Sequence, residues 1–333
     1  MRDSSDRNRK FWRLAVGVLS LACLLTSAAG VLTYFSDTQS RYVVALASFA
    51  PILVLFSILG CAIAALGRRW ILLAASSMAA IVGAALFGPL YISDGRAAAD
   101  TAGSNPTVRV LQANLMLGLA QPEDVVGLVR NHDIDVFTVQ ELTFDAEAAL
   151  HTAGLEGLLP YRFTKPTPGG GGGTGIYSRY PLRNERELPI FTLSNLVADI
   201  DMGVDEPVRV YSVHPVPPYP SPTPLWASEM DLLRSEVATA TELDNVIVSG
   251  DFNSTRSHSK FRGILDTGYD DAADRTGSGL VPTYPTDKSY PAVVGIDHVL
   301  TRGATATSLE RVTVAGSDHH GLVAEIGLRR SVR

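Results

Sequence analysis

The sequence predicts an α/β domain carried behind a membrane anchor of three helices. Three observations lead there. Only 19% of the 333 residues are charged while 46% are hydrophobic, where an ordinary soluble domain carries about 25% charged residues. The deficit is local: no Asp, Glu, Lys or Arg occurs over residues 14–36, 42–67 or 70–93, runs of 23, 26 and 24 residues. Beyond residue 106 the long apolar runs give way to short strand patterns interleaved with helical ones.

Each charge-free run is at least as long as the roughly 20 apolar residues a helix needs to cross a hydrocarbon core. Packed together in a soluble protein, three such runs would leave no polar face for water. The first follows Arg2, Arg7, Arg9, Lys10 and Arg13 and contains Ser27-Ala28-Ala29, which resembles a signal-peptide cleavage site. It is longer than the apolar core of a signal peptide, so an uncleaved helix is expected. Arg68 and Arg69 separate the second and third runs, whereas the first loop carries Arg41 as its one cation. The positive-inside rule then puts the N-terminus and the 68–69 loop in the cytoplasm and the chain after about Ser93 outside. This makes a multi-pass protein of the cytoplasmic membrane, anchored over residues 1–96 and contacting the bilayer through its helices.

Residues 97–106 are small and polar and are expected to be a linker. The exported domain is expected over residues 107–330. Both cysteines, Cys23 and Cys61, lie in the anchor, so this domain dispenses with disulfides even in an oxidising compartment. Residues 1–103 hold nine Lys/Arg and five Asp/Glu, a net of +4, and the remainder a net of -10. Phosphate-backbone binding rests on clustered cations, so a domain this acidic is a poor general binder of nucleic acid.

Within the domain, strands are expected up to Asn114, over 135–141, 175–178, 196–201, 208–214, 246–250, 296–300 and 323–328. Helices are expected over 123–131, 225–241 and 257–266. Pro166–Gly173 and Pro215–Pro224 read as loops. Polar residues collect where the strands end: Asn114, Glu141, His214, Asp251 with Asn253, Asp297 with His298, and Asp318 with His319 and His320. Taken singly, each has an ordinary explanation: a solvated Glu, a turn-forming Asn, a structural His before Pro. Together they point to one end of a sheet, where α/β proteins bind ligands. Carboxylates there can hold a hard cation such as Mg²⁺, and His–Asp pairs supply acid–base chemistry.

Read in order, the blocks are Gln112-Ala-Asn114, Val139-Gln-Glu141, Ile176-Tyr-Ser-Arg-Tyr-Pro-Leu182, Val213-His214, Ser249-Gly-Asp-Phe-Asn253, Ile296-Asp297-His298 and Ser317-Asp-His319. This set resembles the endonuclease/exonuclease/phosphatase superfamily, with the deoxyribonuclease I-like fold, over about residues 107–328. The resemblance implies a four-layer α/β/β/α sandwich of two mixed sheets. It implies Glu141 as the main Mg²⁺ ligand, with Asn114 and Asp318 near the metal, and Mn²⁺ or Ca²⁺ as substitutes. It implies Asp251 orienting or deprotonating the attacking water, Asn253 holding a phosphate oxygen, His319 stabilising the phosphoryl group, and Asp297 orienting His319. His214 would stabilise the pentacovalent phosphorus or protonate the leaving oxygen. Ser178, Arg179, His298 and His320 are further candidates for phosphate contact.

Two departures stand out: His298 and His320 occupy positions where the family commonly carries other residues, and the glycine run over 169–173 is long. The three-helix anchor resembles actinomycete membrane proteins linked to teicoplanin resistance. That likeness implies a phosphorylated lipid of the cell envelope as substrate, such as a lipid-linked phosphate or pyrophosphate, or another small phosphate ester. A tethered extracellular nuclease and a non-catalytic envelope-binding protein are the two rival readings.

Overall fold

The computed structural model describes residues 2–93, 106–203, 206–240 and 243–329. The expected linker lies outside the described residues except for Pro106, and so does Arg330 at the end of the expected domain. The chain forms two compact units, Met1–Pro89 with Ser257–Ser259, and Leu90–Arg256 with Lys260–Arg333.

The first unit holds α1 (Arg2–Tyr34), α2 (Arg41–Ser48), α3 (Ala50–Leu66) and α4 (Trp70–Phe87); a 3-10 turn over Gly88–Tyr91 follows α4. Arg7–Tyr34 and Trp70–Tyr91 are each long and apolar enough to cross a membrane. The run expected to be one straight second span is a pair of helices, α2 and α3, bent by 67°. Pro51 accounts for the break. It stands in the first turn of α3, where its missing N–H costs nothing, but a continuous helix would drive its ring into the Ala47 carbonyl. By length and composition two helices of this unit could therefore cross a membrane, or three with the bent pair taken as one. Its helices pack through small residues. A Cβ on Gly83 would lie 2.0 Å from Val54 Cγ1, and one on Gly30 would lie 2.8 Å from Leu53 Cβ. Such close approach is how helices associate where the solvent is itself apolar.

The second unit runs β1 (Thr107–Asn114), α5 (Pro122–Asn131), β2 (Val136–Gln140), α6 (Phe144–Thr152), β3 (Tyr161–Lys165), β4 (Thr174–Ser178), β5 (Leu182–Glu187), β6 (Leu196–Ile200), β7 (Val208–Val213), α7 (Thr223–Ala238), β8 (Val246–Asp251), α8 (Ser259–Leu265), β9 (Asp270–Asp271), α9 (Ala272–Thr276), β10 (Asp297–Arg302), β11 (Thr305–Thr313) and β12 (His320–Gly327). Among the described residues these strands form two six-stranded mixed sheets, ordered β11-β12-β1-β2-β4-β3 and β5-β6-β7-β8-β10-β9. β1 runs parallel to β2, and β7 parallel to β8.

Alternation along the central strands builds the layers. Leu111 and Ala113 of β1 and Phe137 and Val139 of β2 face outward and bury Val125, Val129, Ala146 and Leu150 of α5 and α6. Val108, Val110, Val136, Val208, Val210 and Ile247 face inward and form the core between the sheets. Trp226, Met230 and Leu233 of α7 and Phe261 and Ile264 of α8 are buried on the other side. The result is the four-layer sandwich.

The strands missing from the sequence reading are β3, β5, β9 and β11. β3, β5 and β11 are exposed or half-exposed for most of their length, so no apolar alternation marks them. β9 has two residues.

Gly250 shows how tightly the sheet is built below the candidate site. A Cβ there would lie 2.0 Å from the Val213 carbonyl oxygen, and backbone cannot yield as a flexible side chain can. Gly250→Ala is therefore expected to lower stability by about 1–3 kcal/mol or more. Thermal unfolding of the detergent-solubilised chain measures it, and an unchanged midpoint would contradict the close approach.

Candidate active site

The inward faces of the central strands change character along their length. β1 reads Val108, Val110, Gln112, Asn114 on that face; β2 reads Val136, Thr138, Gln140; β7 with the next residue on reads Val208, Val210, Ser212, His214; β8 reads Ile247, Ser249, Asp251. Because these strands end together, the inter-sheet layer passes from hydrocarbon at one end to polar groups at the other. Buried polar groups cost free energy unless they are hydrogen-bonded, and here they bond across the gap. Thr138 Oγ1 lies 2.8 Å from Ser249 Oγ. Gln140 Nε2 donates to Ser212 Oγ at 3.1 Å. Gln112 Nε2 donates across the gap to Asp297 Oδ1 at 2.7 Å and, within its own sheet, to Gln140 Oε1 at 2.8 Å.

Above this layer sit eight of the residues expected from the sequence. Asn114, fully buried, donates from Nδ2 to Glu141 Oε1 at 3.2 Å and to Asp251 Oδ2 at 3.1 Å, joining the two sheets. The other Glu141 oxygen accepts the Leu117 N–H at 2.6 Å. Glu141 has φ +57° and Asn253 has φ +48°. Asn tolerates this region, whereas a Glu held there is strained by about 1–2 kcal/mol. Asp251 Oδ1 accepts the Asn253 N–H at 2.8 Å. Asn253 Nδ2 donates to the Pro215 carbonyl at 3.0 Å, which commits one of its two amide hydrogens and holds the loop after His214.

The two histidines approach the same oxygen. His214 Nε2 is 3.7 Å and His319 Nε2 is 3.8 Å from Asp251 Oδ2. Both distances exceed a hydrogen bond, so each nitrogen stays open to a substrate oxygen. His214 Nδ1 is buried without a hydrogen-bond partner. His319 Nδ1 sits 2.8 Å from Asp297 Oδ2, and its ring lies 4.8 Å from that of Tyr284.

Electrostatics divides the roles. Burial pushes the Asp251 carboxyl up to about 6; the Asp297 charge adds to this and the histidines oppose it. Burial also raises Asp297, but the His319 charge and hydrogen bonds from His319, Thr283 and Gln112 outweigh it and hold Asp297 below the usual carboxylate range. Burial alone would depress His319, yet Asp297 and Asp251 carry it up to about 10. The pair is thus Asp297⁻–His319⁺ at neutral pH, facing a carboxyl that titrates near neutrality.

Asp318 is raised by burial and by the Glu141 charge, with His319 opposing. Two hard-oxygen carboxylates that repel each other form a donor set a divalent cation would suit. Gly171 fits the same picture: a Cβ there would come within 3.4 Å of the Glu141 carboxylate, so the glycine leaves that side of Glu141 clear. Asp251, Asp297 and His319 also offer ligand atoms within 4.8 Å of one another. In that group His319 Nδ1 is closed on Asp297 Oδ2 at 2.8 Å, which leaves Nε2 as the histidine's ligand atom.

Four candidates for phosphate contact are not brought to this cluster. Ser178 pairs with Val136, at the start of β2, while Glu141 follows the end of that strand. Arg179 beside it is bonded to Asp133 at 2.6 Å and to the Ile134 carbonyl at 2.9 Å. Both therefore stand at the opposite end of the sheet. His298 alternates with Asp297 and points away from it, with Nδ1 2.7 Å from Asp271 and Nε2 3.0 Å from the Ser254 carbonyl. Against burial, the Asp271 charge and hydrogen bond hold His298 above its usual value. His320 lines a neighbouring cleft of about 330 Å³ with Thr286, Arg311 and Thr313.

The structure adds supports that the sequence did not single out. Asn195 Oδ1 accepts the His214 N–H at 2.7 Å. Ser317 Oγ donates to the Asn114 carbonyl at 2.7 Å and accepts the His319 N–H at 3.0 Å. Glu229 of α7 is buried and accepts the N–H groups of Thr192 and Val216, at 2.9 Å each, from loops on either side of His214. Gln112, as a polar residue continuing the Val108-Val110 face, and Ser317, in the Ser317-Asp-His319 block, carried a sequence signal.

A two-sheet sandwich that gathers carboxylates, amides and a charged His–Asp pair at one end has the architecture of phosphoesterase-type hydrolases. The chain belongs to the Endonuclease/Exonuclease/phosphatase family, whose model matches residues 111–319. No curated protein matches it in sequence. Among solved structures it is similar to a humanized TDP2 of D. rerio, at 15% identity and a TM-score of 0.56 over 66% of this chain and 99% of that one. The D. rerio TDP2 complexed with single-strand DNA product gives 16% and 0.55, over 67% and 100%. A family member from Bacteroides vulgatus gives 15% and 0.54, over 67% and 100%. At these identities the likeness is one of fold.

Proposed function

We propose that the chain is a Mg²⁺-dependent phosphohydrolase acting outside the cytoplasmic membrane on a lipid-linked phosphate or pyrophosphate of the cell envelope. The observation that carries the hydrolase reading is the Asp251 carboxyl, raised to about 6 and flanked by the Nε2 atoms of His214 and His319. In this reading Asp251 takes a proton from water as its oxygen attacks phosphorus. The new P–O bond forms as the bond to the leaving group breaks, and negative charge builds on the phosphoryl oxygens. The His319 imidazolium, held by Asp297, donates Nε2–H to that charge. His214 would protonate the leaving oxygen, and Asn253 would offer its second amide hydrogen. Glu141, Asp318 and Asn114 would hold the Mg²⁺, which neutralises phosphoryl charge when bound.

The lipid assignment is supported by helices long and apolar enough to span a membrane and by the -10 net charge beyond residue 103, which disfavours polynucleotides. The outside location is supported by the arginine-rich cytoplasmic flanks, and an alkaline phosphatase fused after Arg333 is expected to be active. Purified full-length chain with Mg²⁺ is expected to release phosphate from lipid phosphates in preference to nucleotides or plasmid DNA. Cleavage of DNA with no lipid turnover would establish the nuclease reading. Asp318→Ala is expected to shift the Mg²⁺ activation curve to at least about tenfold higher concentration. An unchanged curve would remove Asp318 from the metal set.

A further inference from the structure

The large apolar side chains exposed on the sandwich are unevenly placed. Leu117, Leu119, Phe144, Ile190, Tyr219 and Tyr290 are all exposed, Ile190 by 85% and Tyr219 by 79%. Each belongs to a loop or helix start at the end of the sandwich that bears the site. Leu117 and Leu119 follow β1, and the Leu117 N–H binds Glu141. Phe144 opens α6 just after Glu141. Ile190 lies in the β5–β6 connection, whose Asn195 holds His214. Tyr219 lies in the loop after His214, and Tyr290 in the segment joining Tyr284, beside His319, to Asp297. Tyr161, at the start of β3, marks the opposite end, while Leu225, Leu280, Tyr91 and Ile92 are exposed elsewhere in the same unit.

Loops at a protein surface are ordinarily polar, and grouped exposed apolar residues mark an interaction surface. Aliphatic tips together with Tyr and Phe are the residue types that settle at a lipid–water interface. The same chain carries helices long and apolar enough to span a bilayer, so a lipid surface is supplied by its own anchor. With a net charge of -10 beyond residue 103, attraction to anionic headgroups cannot be the driving force, which leaves insertion of the apolar tips.

We propose that this apolar rim is a lipid-docking surface that dips into the bilayer interface around the site. Insertion there would present the site to a phosphate at headgroup depth. Because the contact is apolar, it resists salt. Only the activity arm of the test rests on the proposed function.

The full chain, with Cys23→Ala and Cys61→Ala, is reconstituted in phosphatidylcholine vesicles. An environment-sensitive fluorophore is placed at Ile190→Cys, at Tyr219→Cys or, for comparison, at Tyr161→Cys. Blue-shifted emission, quenched by spin-labelled phosphatidylcholine and unchanged by added salt, is expected at 190 and 219 and not at 161. Equal, water-like emission at all three positions would overturn the proposal. So would a shift that follows chain density and escapes lipid quenching, which would mark contact with a second copy. In the activity arm, Ile190→Ser with Tyr219→Ser is expected to slow hydrolysis of vesicle-borne lipid phosphate about tenfold and leave a soluble phosphate ester unaffected. Equal rates on both substrates would count against docking. A wild-type chain inactive on every phosphate would sink the hydrolase reading while leaving the fluorescence result to decide docking.

Discussion

Asp251→Asn is expected to lower phosphate release by about 10²–10⁴-fold, the range a positioned general base supplies, with the fold retained. Asparagine matches the carboxyl in shape and can still accept the Asn253 N–H that Oδ1 accepts at 2.8 Å. It cannot take a proton from water. In the wild type, activity is expected to rise with pH through about 6 as Asp251 ionises. Stability moves the other way. A carboxyl raised in the folded state binds its proton more tightly there than in the unfolded chain, so folding loses free energy as pH climbs from the usual carboxylate range to about 6. Asp251→Asn removes that loss but sets an NH2 against Asn114 Nδ2, which donates to Oδ2 in the wild type, so the expected signature is a melting temperature that no longer falls as pH climbs to about 6. Full activity in the variant would remove Asp251 from the base role. A collapsed melting temperature would make it a structural residue.

What the sequence revealed depended on how each residue meets its surroundings. The central strands were legible because both faces are buried and their apolar residues run on, as in Val246-Ile247-Val248. The edge strands were not, since β5 exposes nearly its whole length and its pairing is set by β6 rather than by its own pattern. Pro51 sat in plain view, yet an uncharged run disguised the bend it makes. The eight clustered site residues were legible because strand ends converge whatever the loops do. Ser178 and Arg179 misled because a motif preserves order along the chain and not the end of the strand at which it stands: β4 runs antiparallel to β2, so its last residues lie farthest from Glu141. Asn195 and Thr283 act through hydrogen bonds formed only after distant loops have met, and no local pattern announces them.

Asp297→Asn is expected to lower activity by about 10³–10⁴-fold, the loss seen when the carboxylate behind a catalytic histidine is neutralised. Two effects combine. The Asp297 carboxylate fixes the His319 ring through a 2.8 Å contact to Nδ1, and its charge heads the influences that carry His319 up to about 10. An amide keeps the volume and loses the charge, so the His319 value falls. The alkaline limb of the rate profile, near pH 10 in the wild type, is then expected to move toward neutrality. Stability supplies an independent reading. A histidine raised in the folded state contributes stability that is complete below its ordinary value of about 6.5 and disappears as pH rises through about 10. The wild type is therefore expected to lose stability between about pH 7 and 10, and Asp297→Asn to lose much less over that interval. The Gln112 bond to Oδ1, 2.7 Å in length, asks only for an acceptor, which the amide oxygen still provides, so the difference isolates the ion pair. If the alkaline limb and the pH dependence of melting both match the wild type, His319 does not depend on Asp297 for its charge. A shifted limb with unchanged activity at neutral pH would leave the imidazolium standing but take away its part in stabilising the phosphoryl group.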